Sequence, residues 1–369
     1  MSKAPVQRLP YLDWLRGLAA VIMLQGHVFH SFLRPELRDG GPYRISQFAG
    51  GMPPAIFLFL LGVTFAFLMD GLERRSVPAG ARVRAAAKRS GYLFALAFAF
   101  RLQQWIVSID KSPWTDLLRV DILNVMGMSL LLLAPMAFFS TLERTRLCAV
   151  LGTAIALATP VVSAAHIAGS FAGGPAFLVH YLVPDHLHFG VFPWAAFVAY
   201  GLAAGSVLRR LKREDTMTAM MWFGWGGLAI AFSAWSMSQM SLTLYPGADF
   251  WFDGPALIFI KTGTVLILLA FSYVWNLGVS ATQWNWIRQF GVSSLFVYWV
   301  HVELVYGKAL WFFKENLSVG ATALLAAVVI LVMLGASYCT THWSRVKGYF
   351  AASGPVSIRE SSPDSLSGE

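Results

Sequence analysis

Ten stretches of the chain are dominated by apolar residues and are long enough to cross a bilayer: roughly 14–33, 53–70, 90–108, 121–140, 146–164, 190–208, 218–240, 255–276, 289–309 and 319–341. A spanning helix needs about 20 predominantly apolar residues. The pattern therefore predicts an all-α fold, a polytopic transmembrane helix bundle of about ten spans. Residues 1–348 form the expected integral-membrane domain, and the polar, Ser-rich stretch 349–369 forms an expected disordered tail. The first span runs on as SFLRPE without an A-x-A-like cleavage site, so it is expected to be retained.

Composition agrees with this picture. The 369 residues are 57% hydrophobic and only 13% charged, with mean hydropathy +0.59, against about 25% charged residues in soluble domains. The 14 Trp and 11 Tyr suit interfacial belts. The net charge of +9 is informative only through its distribution. Nineteen of the 28 Lys and Arg fall in the termini and alternate loops on one side, seven fall on the other, and Arg101 and Lys261 lie inside spans. The positive-inside rule then places both termini in the cytoplasm and accounts for the basic clusters without a nucleic-acid partner. Cys148 and Cys339 both sit in apolar segments, so neither a structural disulfide nor a metal site is expected from them.

Ionisable residues inside spans are costly and mark candidate chemistry. Span 1, DWLRGLAAVIMLQGHVFHSF, carries Arg16 at its cytoplasmic end and His27 and His30 in its outer half. Arg16 and His27 are 11 residues apart. That is three turns plus about 20°, so both point to one face, about 16 Å apart along the axis. The plainer account is that Arg16 snorkels to the headgroups while the histidines bond neighbouring helices. Span 4 opens RVDILNVMG, with Asp121 and Asn124 on one helix face. They can orient a histidine, contact a polar substrate, or simply supply the acidic residue that a helix N-terminus favours.

In span 9, Tyr298 and His301 share a face, and Glu303 points elsewhere, toward another helix. The cytoplasmic run from Arg74 to Arg89 is dense in guanidinium groups, which match phosphate oxygens but also anchor spans 2 and 3. The outer loop from about Ala165 to Phe189 is long enough to fold back or form a lid. Its Asp185, His186 and His188 can face a metal only if extended, and no Cys cluster or H-E-x-x-H supports them, so no metal is expected. Neither a P-loop, a G-x-G-x-x-G nor a G-x-S-x-G is present, which disfavours nucleotide hydrolysis and an elbow-type serine hydrolase.

These residues carry a resemblance. YLDWLRGLAAVIMLQGH resembles the first span of the heparan-alpha-glucosaminide N-acetyltransferase catalytic-domain family and of the related acyltransferase family 3, whose basic residue and His fall here on Arg16 and His27. GGMPPAIFLFLLGVTFAFLM with the basic run to Arg89 resembles their second span and cytoplasmic loop. RVDILNVMG resembles a later span opening, and FGVSSLFVYWVH resembles a late segment with Gly291, Ser294, Leu295, Tyr298 and His301. The resemblance is strong in the first third and around span 9, and weak from about Leu142 to Trp286. The chain departs where the heparan-modifying enzymes have Asn, here Gly26, and His27 follows the family 3 pattern instead.

The resemblance implies a bacterial inner-membrane acyltransferase. It would move an acyl group, usually acetyl from acetyl-CoA, to an extracytoplasmic glycan or lipid-linked acceptor by O- or N-acylation. His27 would be general base or acyl carrier, with His30 as runner-up and Asp121 or Asn124 orienting it or polarising the acceptor. Arg16, Arg74, Arg75, Arg82, Arg84 and Arg89 would hold the donor's phosphates and pantetheine entry. Asp13, Arg119, Tyr298 and His301 would contact the acceptor. The alternative from a different class is a transporter or flippase whose pathway is built from Lys261, Arg101, His27 and His301. Small residues such as Gly335, Ala336 and Ser337 permit close packing within the chain or between copies, so a homo-oligomer stays open.

Overall fold

A computed structural model describes residues 9–108, 112–183, 188–212, 214–240, 244–245, 247–278 and 283–343. The expected tail 349–369 lies outside these residues. Among them the fold is helical, with a single isolated bridge between Leu33 and Leu317 in place of any sheet. The helices are α1 (Pro10–Phe32), α2 (Gly41–Gly50), α3 (Pro53–Glu73), α4 (Ala79–Val107), α5 (Ile122–Leu133), α6 (Thr141–Ile167) and α7 (Ala176–Leu182). They continue with α8 (Val191–Arg210), α9 (Thr216–Ser238), α10 (Pro255–Leu277), α11 (Trp286–Val292), α12 (Ser294–Tyr306) and α13 (Val319–Thr341). Each of the ten apolar stretches has a helical counterpart. Six segments (Tyr43–Glu73, α6, α8, α9, α10 and α13) are long and apolar enough to cross a membrane by themselves. With the shorter apolar helices they form a polytopic helical membrane bundle.

The structure departs from the hydropathy pattern at places that matter for the site. The basic run that reads as a loop is mostly helix, because α4 starts at Ala79 and carries Arg82, Arg84 and Arg89 in its first turns. The Gly- and Pro-rich connection between α1 and α3 contains α2. It lies against α1 where Gln25 Nε2 donates to Ser46 Oγ at 2.8 Å and Gly26 meets Gly50. Span 9 is two helices, broken at Ser293, whose hydroxyl bonds back to the Gln289 carbonyl at 3.1 Å. Such back-bonding bends helices. Two described parts of the long segment after α6 lie against the start of α5: Phe189 N donates to Val120 O at 3.3 Å, and α7 brings Tyr181 to Asn124.

Helix α1 is central. It packs against α2, α3, α10, α11, α12 and α13, and it separates two apolar cores, one built on α3, α5 and α8 and the other on α12 and α13. Its crossing with α11 is backbone on backbone. A Cβ on Gly17 would lie 1.8 Å from Ile287 O, and one on Gly291 would lie 1.7 Å from Asp13 O. Only glycine permits that approach, the small-residue logic of membrane helix pairs. The same logic joins α3 to α8, where a Cβ on Gly201 would come within 1.9 Å of Phe59 O.

Candidate functional site

The close α1–α11 crossing sets α12 beside the far half of α1, and a cavity of about 970 Å³ opens between α1, α3, α4, α5 and α12. Arg16 and Arg89 line one end. His27, Arg101, Arg119 and Asp121 line the other. Between them the wall is apolar, with Phe57, Leu61, Leu96 and Phe100. Both Arg16 and His27 therefore face one continuous space, as their 11-residue spacing on α1 predicts.

His27 meets a partner that the sequence did not pair with it. Its Nδ1 lies 2.9 Å from Nε2 of His301, and the rings are offset by 5.1 Å at 19°. The other nitrogen of His301, Nδ1, lies 2.9 Å from the Val297 carbonyl oxygen. A carbonyl only accepts, so His301 Nδ1 carries hydrogen and, in the neutral ring, Nε2 carries a lone pair. His27 Nδ1–H must then donate to it. This assigns the tautomer of His27 from the hydrogen-bond pattern and leaves the lone pair on Nε2. Tyr306 covers the His27 ring edge-on at 5.3 Å, and Tyr298 does the same for His301 at 5.9 Å.

The remaining sequence candidates divide clearly. His301 is fully buried and does not line the cavity, so the structure gives it a neighbour in His27 rather than contact with a ligand. Tyr298 does line the cavity, with its ring 5.4 Å from Phe100. His30 is exposed at the end of α1 and is absent from the lining. Asp13 accepts from Arg16 at 2.9 Å at the end opposite His27, and it too is absent from the lining.

Asp121 and Asn124 form a reciprocal cap on α5: Asp121 Oδ1 accepts from Leu123 N and Asn124 N at 3.0 and 3.3 Å, and Asp121 N donates to Asn124 Oδ1 at 3.1 Å. Asp121 also pairs with Arg101 at 3.2 Å, and Asn124 donates to Tyr181 at 2.8 Å. Neither bonds to His27. Asp121 keeps its place in the cavity wall, while Asn124 points to α7. Glu303 faces α4, as its offset from His301 implies, and accepts from Gln103 at 3.2 Å. Lys261 sits outside the cavity, its ammonium 5.5 Å from the face of Trp194.

The basic run resolves into two kinds of arginine. Two acids at the end of α3, not singled out from the sequence, gather four guanidinium groups. Asp70 pairs with Arg74 and with Arg209 of α8, each at 2.8 Å. Glu73 pairs with Arg82 at 3.2 Å and with Arg144 of α6 at 2.7 Å. Arg144 is fully buried, so this knot ties together the ends of α3, α4, α6 and α8. Arg75 and Arg84 are exposed, without an ion pair among the described residues, and Arg89 is exposed where it lines the cavity. No group of three or more His, Cys, Asp and Glu placed to hold a metal occurs among the described residues. Asp185 and His186 lie outside them, and His180 stacks on His188 at 4.0 Å.

No curated protein matches the chain. Residues 8–246 match the family described as heparan-alpha-glucosaminide N-acetyltransferase, catalytic. The match takes in Arg16, His27, Arg89, Asp121 and Asn124, runs on through the stretch after Leu142 where recognisable motifs are sparse, and ends before Tyr298 and His301. It covers well over half of the 369 residues, and the chain accordingly belongs to the heparan-alpha-glucosaminide N-acetyltransferase catalytic family, membrane-embedded acetyltransferases.

Proposed function

We propose that the protein transfers an acetyl group from acetyl-CoA, bound at the Arg16 end of the cavity, to a glycan or lipid-linked hydroxyl or amine that reaches the His27 end. The observation that carries this reading is the continuous cavity with arginines at one end and, at the other, an imidazole whose second nitrogen has no hydrogen-bond partner among the described residues. The positive-inside asymmetry assigns the Arg16 end to the cytoplasm, where acetyl-CoA is made. Arg89, which lines the cavity, and the exposed Arg75 and Arg84 face no carboxylate among the described residues and would take the donor's phosphates, with Arg16, already paired with Asp13, beside them; Arg74 and Arg82 are held by Asp70 and Glu73. The apolar middle of the cavity suits the pantetheine arm, and the roughly 16 Å from Arg16 to His27 suits its length.

In the transfer, His27 Nε2 takes the proton from the acceptor O–H or N–H as its lone pair attacks the thioester carbon. The new O–C or N–C bond forms, the C–S bond breaks, and the thiolate of CoA leaves with the proton returned from His27. Tyr298, whose hydroxyl makes no hydrogen bond among the described residues, and Arg101, which also faces Asp121, line the same cavity and would be donors for the developing oxyanion.

The test uses the purified protein in detergent. Wild type should bind acetyl-CoA saturably, and an Arg16→Ala, Arg89→Ala double variant should bind it more weakly. His27→Ala, inserted and folded, should retain binding but release no CoA thiol when glucosamine is supplied as acceptor probe. Failure of the folded wild type to bind acetyl-CoA would sink the proposal and turn attention to the transport reading.

A further inference from the structure

We propose that His301 is a positioning residue: held by the Val297 carbonyl, it fixes His27 in the tautomer that keeps Nε2 unprotonated and turned to the cavity. The proposal rests on the acetyltransferase reading of His27 and deepens it.

His301 cannot act on a ligand directly. It is fully buried, it does not line the cavity, and both its ring nitrogens are engaged, one by His27 and one by Val297. Val297 precedes His301 by four residues in α12. Its carbonyl is the one an α-helix assigns to the backbone N–H of His301, and the ring uses the second lone pair of that oxygen. The orientation is therefore set within one turn of one helix. It also depends on the α1–α11 contact at Gly17 and Gly291, which brings α12 within reach of α1.

Histidines that act as bases are usually oriented by a carboxylate, whose charge also stabilises the imidazolium. Here neither nearby carboxylate is available. Asp121 caps α5 and faces Arg101, and Glu303 faces Gln103. A neutral imidazole takes that place, anchored on a neutral carbonyl. When Nε2 of His27 accepts the acceptor's proton, the imidazolium keeps its Nδ1–H on His301. His301 cannot pass a proton onward, because its own Nδ1–H rests on an oxygen that only accepts. The proton has one exit, back from Nε2 to the leaving thiolate. His301 therefore orients His27 and shares the charge without relaying the proton.

The test compares His301→Leu and His301→Gln with wild type. Gln offers an amide oxygen that can accept from His27 Nδ1–H, and Leu offers nothing. ¹⁵N spectra of histidine-labelled protein in detergent, assigned with His27→Ala, report the tautomer without any acceptor. Wild type should show a protonated Nδ1 and a bare Nε2 at His27, His301→Gln should keep that pattern, and His301→Leu should lose it. With acetyl-CoA and glucosamine, His301→Leu should lower kcat about 10- to 100-fold, the range for an orienting partner of a functional His, with the KM for acetyl-CoA within about twofold, and His301→Gln should recover most of the loss. A wild-type His27 protonated on Nε2 overturns the proposal, whether or not the Leu variant folds. So does a folded His301→Leu with unchanged tautomer and kcat. The expected tautomer without any turnover or acetyl-CoA binding overturns the acetyltransferase reading and leaves the pairing standing.

Discussion

At the scale of single residues, Asp121 shows how one side chain serves two purposes that mutations can separate. Its Oδ1 caps α5 and its Oδ2 faces Arg101 in the cavity wall. Asp121→Asn keeps an oxygen for the cap and removes the charge. Asp121→Ala removes both. A lost cap costs about 0.5–2 kcal/mol, so the Ala variant should melt at a lower temperature than the Asn variant in detergent. Both leave Arg101 without its counter-charge at the His27 end. If that charge balance matters to the reaction, the two variants should share a loss of transfer, measured as CoA release, while differing in melting temperature. Equal activity of Asp121→Asn and wild type would reduce Asp121 to its cap.

At the scale of elements, the site depends on helix crossings more than on any single polar contact. Gly291→Ala puts a Cβ 1.7 Å from the Asp13 carbonyl oxygen, so α11 must move off α1. The shift carries α12 and His301 with it and breaks the 2.9 Å contact to His27. Overpacking of this kind typically costs about 1–3 kcal/mol, and the expected signature is a folded protein that binds acetyl-CoA but transfers poorly. Wild-type turnover in Gly291→Ala would show that the crossing is not what sets the His27–His301 distance. The charged knot makes an opposite prediction. Glu73→Ala leaves the fully buried Arg144 without its carboxylate, and breaking a buried pair from one side costs about 3–5 kcal/mol. That variant should lose thermal stability and expression before it loses donor affinity.

These elements also show what the sequence could and could not reveal. Apolar length alone located the long apolar helices, though not α2, α7 or the basic first turns of α4, and the Arg16-to-His27 spacing put both residues on the cavity side of α1, because both follow from helix geometry. The His27–His301 pair was hidden. The two residues lie 274 positions apart, and what joins them is a glycine contact between helices, which leaves no periodic signal in either one. The basic run misled for a related reason. Counting arginines does not show that Asp70 and Glu73 come close enough to engage Arg74, Arg82, Arg144 and Arg209.

At the scale of the whole molecule, the cavity has chemically different ends, and that difference can be measured. At the Arg16 end the lining side chains Arg16 and Arg89 are cationic and at least partly exposed, and a nucleotide donor would bring several negative charges to them. Between exposed charges the attraction is screened over about 10 Å at 0.1 M salt. Acetyl-CoA affinity should therefore fall as KCl rises. It should fall less steeply in the Arg16→Ala, Arg89→Ala variant, which has fewer charges to screen. An acetyl-pantetheine thioester lacking the nucleotide should bind weakly and almost independently of salt, because only the apolar middle of the cavity remains to hold it. At the other end, His27 and His301 are engaged through neutral hydrogen bonds, which salt does not screen. The rate of transfer at saturating acetyl-CoA should then stay flat across the same salt series. A kcat that falls with salt in parallel with affinity would mean that charge acts at the His27 end as well, and would direct attention to Arg101 and Arg119 in its wall.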